Sequence, residues 1–443
     1  MLAGAVLLVL LQSPIWVAQW FSPAPVMLFN FELMLGALVL LRYRIAGWCL
    51  VMVSYLLEGL RLIAVNFHFV GPADFLNAVR FAGLLDYRDY LSWPLFGGLL
   101  GLAVLLWGAD RTRRAAVASP WIGPWVLVGL IALMDFGNGS SRLLGGGDRF
   151  GIPVNVAGSP LLGLVDSVQH AWRQKPGRLE PMTARSHDTL RQWHVEHPDR
   201  SQLVVLVESM GLPKSMAARQ WLAKQIRTPA VESRWEVEAS ADPFLGTTTY
   251  GELRVLCGLQ GSYTKLDAPL GRGCLPATWR EEGRATLAFH GFSLKMFDRA
   301  HWWPIVGLQP QGLPDSDPRR CNATFAGVCD APLVGHAVAA ADTPGRFVYA
   351  LTLDTHLPLP AADLSSRPAE LGAICARESI PDAACDLIWR TGQVLQIVAD
   401  RIAAMKTPAQ VAVMGDHSPP FRGRDAREAF DQTQVPLFLL VPR

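Results

Sequence analysis

The chain has 443 residues, half of them hydrophobic, with a mean hydropathy of +0.22 and a net charge of +2. That is too apolar for one ordinary soluble domain, and the length admits two or three. The charge carries no argument for nucleic acid, and no nucleic-acid partner is expected.

Residues 1–136 are dense in Leu, Val, Ala, Gly and Trp, whereas the chain beyond about 175 has the mixed composition of a soluble protein. A bilayer span takes about 20 mostly apolar residues. Five candidates are read, at 1–21, 26–42, 46–66, 94–109 and 119–136. The first has no basic start and no clear cleavage site, so it is expected to be a retained helix rather than a signal peptide. Arg42 and Arg44 lie between the second and third spans, and Arg111, Arg113 and Arg114 between the fourth and fifth. Both clusters belong in the cytoplasm, which puts everything after about 137 outside. Glu58 and Arg61 fall inside the third span, as a functional pair or as an i, i+3 ion pair. Residues 137–199 form a connector that opens on Gly137, Gly145, Gly146 and Gly147. Within it, Val154 to Trp172 reads as a helix lying on the membrane surface or as a linker helix packed on the soluble domain.

Of seven cysteines, Cys49 sits in the third span as an expected buried apolar filler. The other six lie in the external half. Proximity along the chain pairs Cys257 with Cys274, Cys321 with Cys329 and Cys375 with Cys385. The zinc-type C-x-x-C spacing is absent. An even number agrees with the arginine topology, and disulfides suit a periplasmic location.

Residues 200–443 alternate short apolar runs with helical patterns, the signature of a mostly parallel, doubly wound sheet. Ser201 to Val207 is a buried strand ending in Glu208-Ser209, and the amphipathic run Pro213 to Ile226 follows as a helix. Gly246-Thr247-Thr248-Thr249-Tyr250-Gly251-Glu252-Leu253 brings three hydroxyls to the entrance of a helix, where free N–H groups suit a phosphate. A threonine there is a nucleophile only if something takes its proton, and a bound metal ion can do so; otherwise it is a helix cap. Ala285 to Phe289 is a second strand. It leads into His290-Gly291-Phe292 and then Phe297-Asp298-Arg299, whose guanidinium fork can hold a phosphate. Arg346 to Leu353 ends in Asp354-Thr355-His356, and Val411 to Met414 ends in Gly415-Asp416-His417. Ala384 to Met405 is a helix, and Thr433 to Val441 is the last strand. Glu208, His356, Asp416 and His417 each stand just past the C-terminal end of a strand, and in such a sheet these ends converge on one edge. Glu208, Thr248, Asp416 and His417 together make a four-ligand metal site with its own nucleophile.

These residues resemble the membrane-bound phospholipid head-group transferases of the alkaline phosphatase and sulfatase superfamily: lipoteichoic acid synthases, phosphoglycerol transferases and phosphoethanolamine transferases. Glu208-Ser209 resembles the first metal-ligand motif. The threonine stretch is similar to Gly-x-Thr-Ser-x-x-Glu-Phe, which selects Thr248 as nucleophile. Gly415-Asp416-His417 resembles Gly-Asp-His, and Phe297-Asp298-Arg299 resembles a Trp-x-Arg that grips the head group. The resemblance implies a multi-pass helical membrane domain over 1–136 and a sulfatase-like α/β domain over 200–443. It further implies one divalent ion, zinc or manganese with magnesium also admissible, on Glu208, Thr248, Asp416 and His417. His356, Arg299, Phe297 and His290 fall on the substrate. The implied partners are the bilayer, a membrane phospholipid donor and a glycan acceptor. The implied location is the bacterial inner membrane, with the catalytic domain in the periplasm.

The phosphoethanolamine transferases carry a further His beyond Asp-His, and residues 422–427 here hold none. Their threonine motif also runs on to Pro-Cys, where this chain has Leu253-Arg254-Val255-Leu256-Cys257. Both departures favour phosphatidylglycerol over phosphatidylethanolamine as donor, whereas the six external cysteines lean the other way, and phosphoethanolamine transfer to lipid A or a polysaccharide stays an alternative. Cys274-Leu275-Pro276-Ala277-Thr278 has Thr where a sulfatase needs Arg, so sulfate-ester hydrolysis is rejected. Hydrolysis of a phosphodiester by water and a non-catalytic role in polysaccharide export are the competing readings.

Overall fold

The computed structural model describes residues 2–20, 27–68, 72–84, 93–117, 155–161, 179–313, 321, 324–325, 327–359, 366–421 and 423–443. They fall into two compact units. The first takes the described residues of Met1–Phe75, Arg88–Pro176 and Arg422–Arg424; the second takes those of Leu76–Tyr87, Gly177–Phe421 and Asp425–Arg443.

In the first unit, the helix Leu2–Trp20 is followed by strand β1 (Met27–Asn30) and the helices Phe31–Arg42, Arg44–Asn66 and Trp93–Val117. Among the described residues, Arg44–Ala64 is the stretch long and apolar enough to cross a membrane. The expected span 26–42 divides instead. Asn30 ends the strand and caps a helix of 12 residues by accepting from Leu33 N–H. Such a helix is about 18 Å long, short of a bilayer's hydrocarbon core. β1 pairs in parallel with β2 (Asn155–Gly158), so the expected helix from Val154 to Trp172 begins as a strand. Its residues 162–172, like the expected span 119–136, lie outside the described residues. Asp110 gathers Arg44, Arg113 and Arg114 within 3.2–3.5 Å, so the two arginine clusters meet. Glu58 and Arg61 form the i, i+3 ion pair at 2.6 Å, and Glu58 also accepts from Gln19. Cys49, expected as a buried filler, is exposed on its helix.

The second unit is built on a seven-stranded sheet. Its strands are β4 (Gln202–Val207), β5 (Trp235–Pro243), β7 (Thr286–His290), β8 (Gln309–Pro310), β9 (Phe347–Leu351), β10 (Gln410–Gly415) and β11 (Gln434–Pro442), in the order β5-β11-β10-β4-β9-β7-β8. Two minor strands, β3 (Glu180–Pro181) and β6 (Leu259–Gln260), pair separately. The run from β10 through β4, β9 and β7 to β8 is parallel, while β11 and β5 add antiparallel at one edge. Alternation explains why the central strands read as unbroken apolar runs. Leu203, Val205 and Val207 face one core with the helices Met216–Ile226 and Asp382–Ala403, whereas Val204 and Leu206 face another with the helix Thr248–Cys257. A strand buried on both faces has no polar side to show. All three expected disulfides are formed: Cys257–Cys274, Cys321–Cys329 and Cys375–Cys385.

Candidate active site

The parallel strands deliver their C-terminal ends to one edge, and Glu208, His356 and Asp416-His417 follow β4, β9 and β10 there. Ser209, next to Glu208, has a φ of 51°. A non-glycine residue in that left-handed region marks a turn held by its surroundings. Here its N–H donates to Asp416 Oδ1 at 2.8 Å and its hydroxyl to Glu208 Oε1 at 2.9 Å. The turn after β4 is thereby tied to the turn after β10.

Thr248 is the first residue of its helix. Of the three threonine hydroxyls, Thr248 Oγ1 is the one that reaches the acidic cluster, 3.2 Å from Glu208 Oε2 and 3.4 Å from His417 Nε2. Thr247 and Thr249 pair with each other at 3.4 Å. The helix is set directly on the end of β10. A Cβ on Gly251 would stand 3.0 Å from the Asp416 backbone, and buried Arg254 donates to the carbonyls of Asp416 (3.1 Å) and Gly415 (2.6 Å). At Gly415 itself a Cβ would fall 2.0 Å from Met210 O, so that position admits glycine alone.

Glu208, Asp416 and His417 are buried, and their ligand atoms lie within 4.8 Å of one another. His417 Nδ1–H donates to Ser418 O at 2.9 Å, which leaves Nε2 with its lone pair facing Thr248. Asp416 Oδ1 takes the N–H groups of Ser209 and His417, whereas Oδ2 is buried and makes no hydrogen bond, lying 3.2 Å from His417 Nε2. An orphaned carboxylate oxygen among a second carboxylate, an imidazole nitrogen and a hydroxyl fits a divalent ion of the zinc or manganese class. The titration of the group agrees. Burial and then the charge of Glu208 push Asp416 up to about 7. Burial would lower His417, but Asp416 and Glu208 outweigh it and raise it. Burial would raise Glu208, and the neighbouring His356 and His417 turn that into a lowering.

Of the residues expected on the substrate, His356, His290 and Arg299 lie near enough to Glu208 for its charge to act on them. His356 is close enough to Glu208 and His417 for their charges to act on it, and burial holds its pKa down. Its ring meets Phe325 edge-on at 4.5 Å. His290 binds Leu351 O through Nδ1 at 3.1 Å, and burial together with Arg299 pushes it down to about 3, so it is neutral. The fork of Arg299, expected to hold a phosphate, instead places Nε and Nη2 on Glu252 Oε2 at 3.0 and 2.9 Å. Glu252 Oε1 accepts from Trp303 Nε1 (2.9 Å) and the Tyr349 hydroxyl (3.3 Å). Glu252 lies one helical turn beyond Thr248, so this buried network joins the threonine helix to Arg299. The sequence reading quoted Glu252 within the threonine motif but gave it no role, and it missed Arg254. The signal for Glu252 was the Glu of that motif, and for Arg254 a charge within an apolar helical run. Phe297 precedes the arginine with φ 54° and puts its ring centroid 5.4 Å from the guanidinium.

No known family description matches the sequence, and no curated protein is similar to it at significance. Part of the chain is similar to solved structures. The lipoteichoic acid synthase LtaP from Listeria monocytogenes is 14% identical with a TM-score of 0.39, covering 54% of this chain and 65% of that one. The Streptococcus pyogenes phosphoglycerol transferase GacH, in complex with sn-glycerol-1-phosphate, is 14% identical with a TM-score of 0.36 over 60% and 78%. The C-terminal periplasmic domain of EcEptC from Escherichia coli is 12% identical with a TM-score of 0.35 over 60% and 77%. The chain thus spans somewhat under two thirds of the Listeria structure. The reading of the site rests on its own geometry.

Proposed function

We propose that this chain is a metal-dependent phosphotransferase. It moves a phosphoglycerol-type head group from a membrane phospholipid to a cell-envelope glycan through a phosphothreonine on Thr248. The observation that carries the reading is the Thr248 hydroxyl at a helix start, 3.2 Å from Glu208 and 3.4 Å from His417, beside a buried Asp416 oxygen that makes no hydrogen bond and lies 3.2 Å from His417 Nε2. Glu208, Asp416, His417 and the Thr248 oxygen would hold the ion. A divalent cation there supplies the Lewis acidity that makes a threonine hydroxyl acidic near neutral pH. Thr248 Oγ1 attacks phosphorus, the phosphorus–oxygen bond to diacylglycerol breaks, and the hydroxyl proton ends on the departing diacylglycerol oxygen. His356 and the neutral His290 would face the phosphoryl oxygens as they gain charge, and Arg299, held on Glu252, would add its positive charge and the N–H groups that Glu252 and Met296 O leave over. A glycan hydroxyl then takes the head group from Thr248 in the reverse sense, which gives ping-pong kinetics. Diacylglycerol leaves into a bilayer. This is why a multi-pass anchor in the inner membrane and a catalytic unit on the periplasmic side belong to the proposal.

The test is incubation of the solubilised protein with phosphatidylglycerol and with phosphatidylethanolamine, each without acceptor, followed by peptide mass spectrometry. A phosphoglycerol adduct on the Thr248 peptide, absent in Thr248→Ala, is the expected result. A phosphoethanolamine adduct would change the donor and keep the mechanism. Released head group with no glycan requirement would make the chain a phosphodiesterase. Activity retained in folded Thr248→Ala would sink the assignment.

A further inference from the structure

We propose that Phe81 is a positioning residue for Arg299, acting through the Phe297–Asp298 turn; the proposal rests on the head-group reading above. In sequence, Leu76–Leu84 lies between the helices Arg44–Asn66 and Trp93–Val117, yet by packing it belongs to the unit that holds Thr248. Three side chains fasten it there. Asn77 Nδ2 donates to the Tyr263 hydroxyl at 2.6 Å, Arg80 lies 3.6 Å from Asp298, and buried Phe81 meets the ring of Phe297 edge-on at 5.5 Å.

The turn they grip has two successive non-glycine residues in the left-handed region, Phe297 at φ 54° and Asp298 at 52°. L side chains take up that conformation only where the surroundings over-determine it. On one side the determinants are Tyr263, 6.4 Å from the Phe297 ring, and Trp302, whose Nε1 donates to Phe297 O at 3.0 Å. On the other side they are Arg80, at Asp298, and Phe81, which closes an apolar cluster with Met296, Phe325 and Leu353. Arg299 follows the turn directly, so the direction in which its side chain leaves the backbone is set by Phe297 and Asp298. Its guanidinium also lies over the Phe297 ring. A catalytic group displaced by about 1 Å loses much of its effect; Glu252 anchors the guanidinium itself, and Phe81 is the buried contact that keeps the turn before it from shifting.

The test uses the full chain and four variants: Phe81→Ala, Phe81→Leu, Arg299→Lys and the double Phe81→Ala/Arg299→Lys. The rate of adduct formation on Thr248 from phosphatidylglycerol should fall roughly tenfold in Phe81→Ala. It should fall no more than about twofold in Phe81→Leu, which keeps apolar volume. In the Arg299→Lys background, which has no planar fork to aim, Phe81→Ala should cost nothing further. An equal loss in both backgrounds would mean general destabilisation and would overturn the proposal, as would a Phe81→Ala rate equal to wild type. If the wild-type chain forms no adduct with either phospholipid, the head-group reading fails. The positioning role is then read from hydrogen exchange at the Asp298 and Ala300 amides, which donate to Lys295 O (3.1 Å) and Leu294 O (2.9 Å). Faster exchange in Phe81→Ala supports the clamp, and unchanged exchange overturns it.

Discussion

Replacing Glu252 by Gln tests the buried joint between the threonine helix and Arg299. Both partners are inaccessible, Glu252 at 0% and Arg299 at 2% exposure. Burial alone would lower the Arg299 pKa, and the adjacent Glu252 carboxylate raises it instead. The amide keeps one oxygen for Trp303 and Tyr349 but removes the charge and turns an NH₂ group toward two guanidinium donors. Removing one member of a buried ion pair costs ~3–5 kcal/mol. At roughly 2–4 °C per kcal/mol for a unit of this size, the melting midpoint should fall by roughly 6–20 °C. Trp302 and Trp303 are buried beside the pair, so intrinsic fluorescence during a thermal ramp reads the loss. The double variant E252Q/R299M replaces the ion pair by an uncharged one and should recover most of it. A drop under about 2 °C in the single variant, or a double variant as unstable as the single, would refute the view that this pair is structurally coupled.

Three further outcomes follow from the site and from one disulfide. Asp416 sits at about 7 and His417 is raised, so both must lose protons before they can bind an ion. Manganese or zinc affinity, measured by calorimetry, should therefore fall as pH drops below 7, by up to about tenfold per unit for each proton displaced. In metal-free protein the same shifts act with the opposite sign. A carboxyl and an imidazole whose folded pKa values exceed the unfolded ones stabilise the protonated fold, so stability should decline as pH rises from about 4 to about 7. Saturating metal should remove that decline, and a metal-free protein that gains stability over this window would contradict the assignment. Cys375 and Cys385 are buried and close a loop of 10 residues. Replacing both with Ala should cost about 3 kcal/mol, measured by denaturant melts of oxidised protein, and no loss would show that the bridge leaves the unfolded chain unconstrained.

The parts of the fold legible in the sequence were those in which a local pattern carries a global position. β4, β9 and β10 are buried on both faces, so each appears as an apolar run, and the polar residue after it marks the sheet edge. That logic found Glu208, His356 and Asp416-His417, and the threonine stretch found the helix start. β5 escaped because it is an edge strand whose exposed Glu236 and Glu238 interrupt its apolar residues. The pairing of Glu252 with Arg299 spans 47 residues, and nothing local in either stretch announces the other. In the first unit, composition alone did not reveal that Asn30 would cap a short helix and cut an apolar run in two.

The seat of the threonine helix on β10 sets how finely the nucleophile is placed. At Gly251 the helix and the Asp416 backbone meet with no side chain between them, and Arg254 of the helix donates to the carbonyls of Gly415 and Asp416. Any cushion of side chains would add its own rotamers to the uncertainty in where Thr248 stands. With bare backbone against backbone, the tolerance of the joint is that of covalent geometry. A methyl group added at Gly415 would collide with Met210 O, and one added at Gly251 would press the helix away from Asp416, so each would move the nucleophile relative to the ligands it faces.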